Sequence, residues 1–170
     1  MNIHRSTSGF TLIELLLYVV IISTLLSAVT AFYMLAVDAR IKNQSINEVN
    51  QQGSYVMDYI TQTLRNANTI TTPAVASSGA TLALTVPTPA LSPTTFTVNG
   101  TTLQVTEGTG GAIALTSPVI SISNVSFKNL TRSGTNGIVQ VSFTVSRTNT
   151  SGLNRYDYQK TFVSSAEVGW

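Results

Sequence analysis

Hydrophobic residues are concentrated in one uninterrupted stretch near the N-terminus. Residues 15–37 contain no charged side chain, and their only aliphatic hydroxyl groups belong to Ser23, Thr24, Ser27 and Thr30. A helix of about 23 residues is long enough to span a bilayer core of roughly 30 Å. The pattern therefore predicts a membrane-spanning helix that is apolar on all sides.

The hydrophobic pattern becomes one-sided from residue 38 to about residue 70. Apolar or small residues recur every three or four positions, with Asn, Gln and Asp between them: Ile46, Val49, Gly53, Val56, Ile60, Leu64 and Ala67. This spacing places them on one face of an α-helix. Because no proline interrupts residues 10–72, we predict one helix of roughly 60 residues, apolar over 10–37 and amphipathic over 38–72.

Beyond Pro73 the period of the pattern falls from about 3.6 to 2, which is typical of strands with one buried face. We predict strands at residues 81–86, 94–98, 101–106, 119–130, 137–147 and 155–168. Prolines crowd residues 73–93, so this segment is predicted to be a loop-rich connection with the 81–86 strand at a sheet edge.

Two local signals predict details of the strands. Asn99-Gly100 is the preferred two-residue hairpin turn, and that register would set Phe96 opposite Leu103. The buried parity of the 119–130 strand also switches along its length, which indicates a bulge or bend near Ser123 and Asn124.

A half-polar antiparallel sheet must cover its apolar face, and the amphipathic half of the helix is the long complementary surface available for it. We therefore predict an α+β fold, in which a long N-terminal helix packs on a C-terminal antiparallel β-sheet. Residues 73–170 would form the β-rich head.

One acid, Glu14, lies at the entrance to the apolar stretch, and only Arg5 is charged ahead of it. A secretory signal peptide would place small residues such as Val29-Thr30-Ala31 at its cleavage site, but its apolar region rarely starts with an acid. A plain anchor would hold Glu14 at the level of the lipid headgroups. Neither interpretation explains the residues around Glu14.

Those residues follow one another in a specific order. A short polar and basic leader, residues 1–9, ends in Gly9 and is followed by Phe10, Thr11-Leu12-Ile13, Glu14 and the apolar run. This order resembles the processing site of type IV pilin-like prepilins. The resemblance implies cleavage by a prepilin peptidase between Gly9 and Phe10, N-methylation at Phe10, and assembly with other pilin or pseudopilin subunits through the N-terminal helix and the inner-membrane assembly machinery.

The chemistry around Glu14 agrees with that resemblance. Glycine leaves the scissile bond unobstructed, and cleavage creates an amine four residues before Glu14, roughly 6 Å along a helix. A pair of unit charges 4 Å apart is worth about 4 kcal/mol at an effective dielectric near 20, before desolvation. Glu14 is therefore the predicted assembly residue, with the amine of its own or a neighbouring subunit as partner.

Composition narrows the remaining function classes. The formal net charge is +2 with 9% charged residues, and the scattered Lys and Arg residues give a nucleic-acid partner no support. The single histidine, His4, lies in the leader, and there is no cysteine. A Ser/His/Asp or Cys/His catalyst therefore cannot be built in the mature chain, and we predict no catalytic residue, metal or cofactor.

Within the pilin-like proteins, the sheet-rich head, the stretch SYVMDYITQTLRNANTI and the lack of cysteine are most like a minor pilin or a J-type minor pseudopilin. The predicted location is the inner membrane, as a single-pass protein with its head outside the cytoplasm, and then a pilus or pseudopilus. Two alternatives remain open: a membrane-anchored surface binding module, and a pilus-tip adhesin or DNA receptor.

Overall fold

The computed structural model describes residues 11–149 and 152–169. The chain divides between Arg40 and Ile41 into two compact units. The described residues form one long α-helix followed by nine strands in two antiparallel sheets. This confirms the predicted α+β fold, while the boundaries of the leader, 1–9, and of the membrane-spanning segment, 10–37, remain predictions.

The helix, α1, runs over Leu12–Arg65. The prediction that the helix continues to residue 72 is wrong, because Thr69–Thr72 forms strand β1. Three of these four residues are threonines and the fourth is Ile70, and such β-branched side chains favour an extended backbone. The Asn68 N–H donates to the Thr85 carbonyl oxygen at 2.7 Å, so the chain joins a sheet within three residues of the helix end.

The second part of α1 buries one face, as its periodicity predicted. Its buried residues are Ser45, Val49, Gly53, Val56, Met57, Ile60 and Leu64. This part of the helix packs against both sheets: the ring of the partly buried Tyr59 lies edge-on to Phe96 of the first sheet at 6.1 Å, and Gly53 faces the Phe162 ring of the second. The amphipathic face therefore organises the core of the head.

The first sheet has five strands in the order β1-β3-β4-β5-β6. Its strands after β1 are β3 Leu82–Thr85, β4 Thr94–Asn99, β5 Thr102–Glu107 and β6 Ile113–Ala114. The prediction that the 81–86 strand lies at an edge is wrong, because β1 pairs with β3 and occupies that edge. The error has the same origin as the overlong helix, since β1 was assigned to the helix.

The second sheet has four strands in the order β2-β7-β8-β9. They are β2 Ser78–Gly79, β7 Ile120–Asn129, β8 Ile138–Arg147 and β9 Gln159–Glu167. β9 begins later than the predicted residue 155, because Asn154–Tyr156 forms a 3-10 turn. β8 alternates as predicted, with Val139, Val141, Phe143 and Val145 buried.

The β4–β5 hairpin differs in register from the prediction. Asn99 pairs with Thr102, so the loop residues are Gly100 and Thr101, and Phe96 lies opposite Val105 instead of Leu103. Gly100 has a φ of 62°, as expected for glycine at the first central position of a type II′ turn. Both registers keep the same side chains on the buried face, so alternation alone could not distinguish them.

The predicted irregularity in β7 is confirmed. The pairing of β7 with β8 shifts between Ser123 and Ser126, and Asn124 has a φ of 52°. Asparagine tolerates this left-handed conformation better than most residues. The bulge brings Phe127 into the core after Ile122, which explains the change in buried parity.

Candidate functional site

The predicted cleavage site lies outside the described residues. Gly9 and Phe10 precede Thr11, the first residue that the structure describes. Cleavage between them, and methylation of Phe10, therefore remain predictions.

Glu14 lies in the first turn of α1 and is exposed. The preceding Thr11 caps the helix: its carbonyl oxygen accepts from the N–H groups of Glu14 at 3.1 Å and Leu15 at 3.2 Å. The Thr11 Oγ1 also accepts from the Glu14 N–H at 3.4 Å. A threonine followed three residues later by glutamate has the spacing of a capping box, a signal that was readable from the sequence but was missed.

This position gives the carboxylate a favourable electrostatic environment even in a single chain. The first turn of a helix carries unpaired N–H groups and the positive end of the helix dipole, worth about 0.3–1 kcal/mol to a negative charge there. Glu14 consequently has two candidate roles, one inside its own helix and one with a partner amine. A neutral side chain of the same shape could replace Glu14 in the capping role, but it could not replace Glu14 in pairing with an amine.

The surface that follows Glu14 is apolar and uncovered. Every residue from 11 to 36 is exposed, and residues 15–37 carry no charge. Among the described residues, α1 is the one helix long and apolar enough to cross a membrane, with a mean hydropathy of 2.4 over an 18-residue window that contains no buried residue. This surface requires a partner that the described chain does not supply.

The serine and threonine hydroxyl groups within this surface are satisfied by the helix itself. Ser23 Oγ donates to the Val20 carbonyl oxygen at 2.9 Å, and Thr24 Oγ1 donates to that of Ile21 at 2.8 Å. Ser27 and Thr30 donate to the carbonyl oxygens four residues before them, each at 2.8 Å. Since an unsatisfied donor is costly in an apolar medium, these bonds let the four aliphatic hydroxyl groups enter a lipid or protein environment without other polar partners.

The basic residues around positions 154–160 make contacts inside the head. Lys42 Nζ donates to the carbonyl oxygens of Asn154 and Asp157. Lys160 Nζ donates to Asn50 Oδ1 at 2.8 Å, and the Arg147 guanidinium lies over the Tyr156 ring at 5.2 Å. These contacts give the basic side chains next to residues 154–160 a structural role within the head. In the described ranges, no group of three or more His, Asp or Glu side chains could hold a metal ion.

Comparison with known proteins gives one match. Residues 4–30 match the family described as the prokaryotic N-terminal methylation motif. Searches of the curated proteins and of the solved structures found no match. The matched range covers Gly9, Phe10 and Glu14 and extends into the apolar part of α1. The chain therefore carries the N-terminal methylation motif that is typical of type IV pilin-like prepilins, and this motif leads into a helix apolar enough to cross a membrane.

Proposed function

We propose that the protein is a structural, minor subunit of a type IV pilus or a type II secretion pseudopilus. The observation that carries this proposal is the N-terminal methylation motif at residues 4–30. A prepilin peptidase cuts between Gly9 and Phe10, the new amine of Phe10 is methylated, and subunits associate through α1. Before assembly the protein is a single-pass inner-membrane protein with its head outside the cytoplasm.

The exposed part of α1 supports assembly through this helix. Leaving one large apolar side chain in water costs roughly 1.5–3 kcal/mol, and α1 exposes such side chains on all sides from Leu12 to Leu35. Lipid covers them before assembly, and the equivalent helices of neighbouring subunits cover them in the filament. The absence of charge over residues 15–37 makes both environments acceptable.

Glu14 is the proposed assembly contact. In the absence of a partner, moving its carboxylate into an apolar helix bundle carries a large desolvation cost. The amine created at Phe10 of a neighbouring subunit neutralises it and sets the axial register between helices. Cleavage thus supplies the positive half of the contact at the moment when the subunit becomes competent to assemble.

A pair of substitutions separates this contact from the capping role of Glu14. Glutamine serves in a capping box as glutamate does, but it carries no charge. We expect Glu14→Gln and Glu14→Leu to be processed normally and to be absent from sheared filaments, measured by quantitative mass spectrometry. Thr11→Ala, which removes the hydroxyl cap and keeps the charge, is the matched control and should assemble.

If Glu14→Gln enters filaments as efficiently as the unmodified protein, the charge pairing is wrong and capping accounts for Glu14.

The same measurement tests the minor role, because a minor subunit should be substoichiometric to the main filament protein.

The processing step has its own test in the intact mass of the mature protein. We expect a chain that begins at methylated Phe10, and we expect Gly9→Leu to retain the leader, with Ser8→Ala cleaved normally as a control. Retention of Met1 in the unmodified protein, or a terminus at Phe32 as signal peptidase would produce, contradicts the proposal.

A further inference from the structure

A pocket of about 550 Å³ opens in the head between the last turn of α1, the loop after β3 and the end of β5. It is lined by Thr63, Arg65, Asn66, Val86, Pro87, Thr88, Leu91, Thr94 and Glu107. All of these residues belong to the second compact unit. Its volume falls within the range of roughly 300–1,000 Å³ that is usual for small-molecule sites.

The loop wall of this pocket is held in place by local hydrogen bonds. Thr94 Oγ1 donates to the Leu91 carbonyl oxygen at 2.8 Å, and the Leu91 N–H donates to that of Thr88 at 3.0 Å. The Gly108 N–H donates to the Pro93 carbonyl oxygen at 3.0 Å. A Cβ atom on Gly108 would lie 2.1 Å from the Ala90 carbonyl oxygen, so glycine permits this close approach. The shape of this wall is therefore fixed by contacts within the head.

Two opposite charges line the pocket. Arg65 lies in the last turn of α1, and Glu107 ends β5. Glu107 is positioned by the Tyr59 hydroxyl, which donates to its Oε1 at 3.1 Å. Within the described ranges, Arg65 and Glu107 form no ion pair with each other. The guanidinium keeps its forked donors, and the carboxylate keeps acceptor sites, for a third group.

The other lining residues suit the remainder of a peptide-like ligand. Val86, Pro87 and Leu91 provide an apolar wall. Asn66 and Thr88 offer donors and acceptors that can pair with an amide group. Thr63 Oγ1 donates to the Tyr59 carbonyl oxygen at 2.8 Å and so offers an acceptor only. A purely anionic ligand would meet repulsion from Glu107, and a purely cationic one would meet repulsion from Arg65.

We propose that this pocket binds a zwitterion of the amino-acid or short-peptide class. The ligand's carboxylate pairs with Arg65, its ammonium group pairs with Glu107, and an apolar side chain contacts Leu91 and Pro87. This binding role goes beyond filament assembly, and its test leaves the N-terminal segment unchanged.

The test uses the full-length protein in detergent micelles, with leucine and the tripeptide Gly-Leu-Gly as probes in calorimetric titrations. We expect at least one probe to bind. Acetylation of its amine, or amidation of its carboxylate, should each weaken binding about tenfold or more, since each removes one charge-assisted contact. Glucuronate, an acid without an ammonium group, should bind no better than the acetylated probe.

The pocket variants are Arg65→Gln and Glu107→Gln, the latter of which keeps an acceptor for the Tyr59 hydroxyl. Their matched controls are Arg132→Gln and Asp58→Asn, which change exposed residues outside the pocket. We expect about a tenfold or greater loss of affinity in each pocket variant, with unfolding midpoints near those of the controls.

The decisive comparison combines each pocket variant with the probe that lacks the charge paired with the substituted residue. Glu107→Gln should not further weaken the acetylated probe, and Arg65→Gln should not further weaken the amidated probe. The proposal is overturned if neither zwitterion binds, if the blocked probes bind as tightly as the free ones, or if the control variants lose as much affinity as the pocket variants.

Discussion

The two parts of α1 differ in burial, although they belong to one continuous helix. Residues 11–36 are exposed on every side, whereas Val49, Val56, Ile60 and Leu64 in the later part have no exposed surface. The earlier part is the more hydrophobic of the two. Hydrophobicity alone therefore does not determine burial within the chain; a complementary surface in the same unit does.

Polar groups differ between the two parts in the same way. Before residue 37 the serine and threonine hydroxyl groups donate to the helix's own carbonyl oxygens. In the later part, Ser45 and Glu48 contact Arg147 of β8, and Asn50 contacts Lys160 of β9. The first pattern allows an apolar environment on all sides, and the second specifies one folded partner.

The largest expected effect compares two leucines of the same helix. Leu64→Ala should lower the free energy of unfolding by about 2–5 kcal/mol, because it leaves a cavity in the core. Leu25, which is 59% exposed, is the matched control. Leu25→Ala should change the free energy of unfolding by less than about 0.5 kcal/mol. Denaturant unfolding of the monomer in detergent measures both. Similar losses in the two variants would refute the comparison.

A polar substitution makes the second comparison. Arg147 Nη1 donates to the Oγ of fully buried Ser45 at 3.0 Å and lies 3.2 Å from Glu48 Oε2, an ion pair without hydrogen-bond geometry. Arg147→Met should cost about 1–3 kcal/mol, because both groups lose their cation. Thr30→Val, in the apolar part, should be nearly neutral in the same unfolding assay. If Arg147→Met leaves the free energy of unfolding unchanged, the contact does not stabilise the head.

Gly53 gives a smaller effect that depends on packing. A Cβ atom there would lie 2.1 Å from Cε2 of Phe162, whose ring stacks on Phe143 at 5.7 Å. Gly53→Ala should lower stability by about 1–2 kcal/mol, since overpacking outweighs the gain in helix propensity. The added variant Phe162→Leu should recover part of the loss, and Ser54→Ala is the exposed control. Stabilisation by Gly53→Ala would mean that the ring moves aside freely.

The smallest effect is limited to alkaline pH. Burial, together with the hydrogen bond to Glu107, raises the pKa of Tyr59 above its ordinary value of 10.0. The neutral phenol is thus favoured in the folded head. Its contribution to the free energy of unfolding is complete below pH 10 and is lost as the pH rises through the pKa of the folded state. Alkaline unfolding should be less pH-dependent in Tyr59→Phe. An unchanged pH profile would exclude Tyr59 as the group responsible.

Much of the fold and of the site could be predicted from local patterns in the sequence. The 3.6 period located the helix and its buried face, the two-residue period located the longer strands, and the parity switch located the bulge at Asn124. The order of residues around Gly9 and Glu14 predicted the motif that the family comparison matched. Such signals are readable because each depends on residues close together in the chain.

Other features depended on residues that are distant in sequence. The end of α1 at Arg65 follows from the pairing of β1 with β3. The hairpin register was degenerate because both alternatives bury the same face of β4. The short strands β2 and β6 were not predicted, because a segment of two residues is too short to show a hydrophobic period.

The sequence by itself determined that the N-terminal segment is apolar all round, carries a methylation motif and needs an external partner. These properties arise from composition and from spacing within a few helical turns. Only the tertiary structure decided that Gly53 meets Phe162, that Tyr59 holds Glu107, and that Arg65 and Glu107 share one pocket. The reason is physical: these contacts close loops of about 40 to 110 residues, and the packing of whole sheets on the helix, rather than any local preference, selects them.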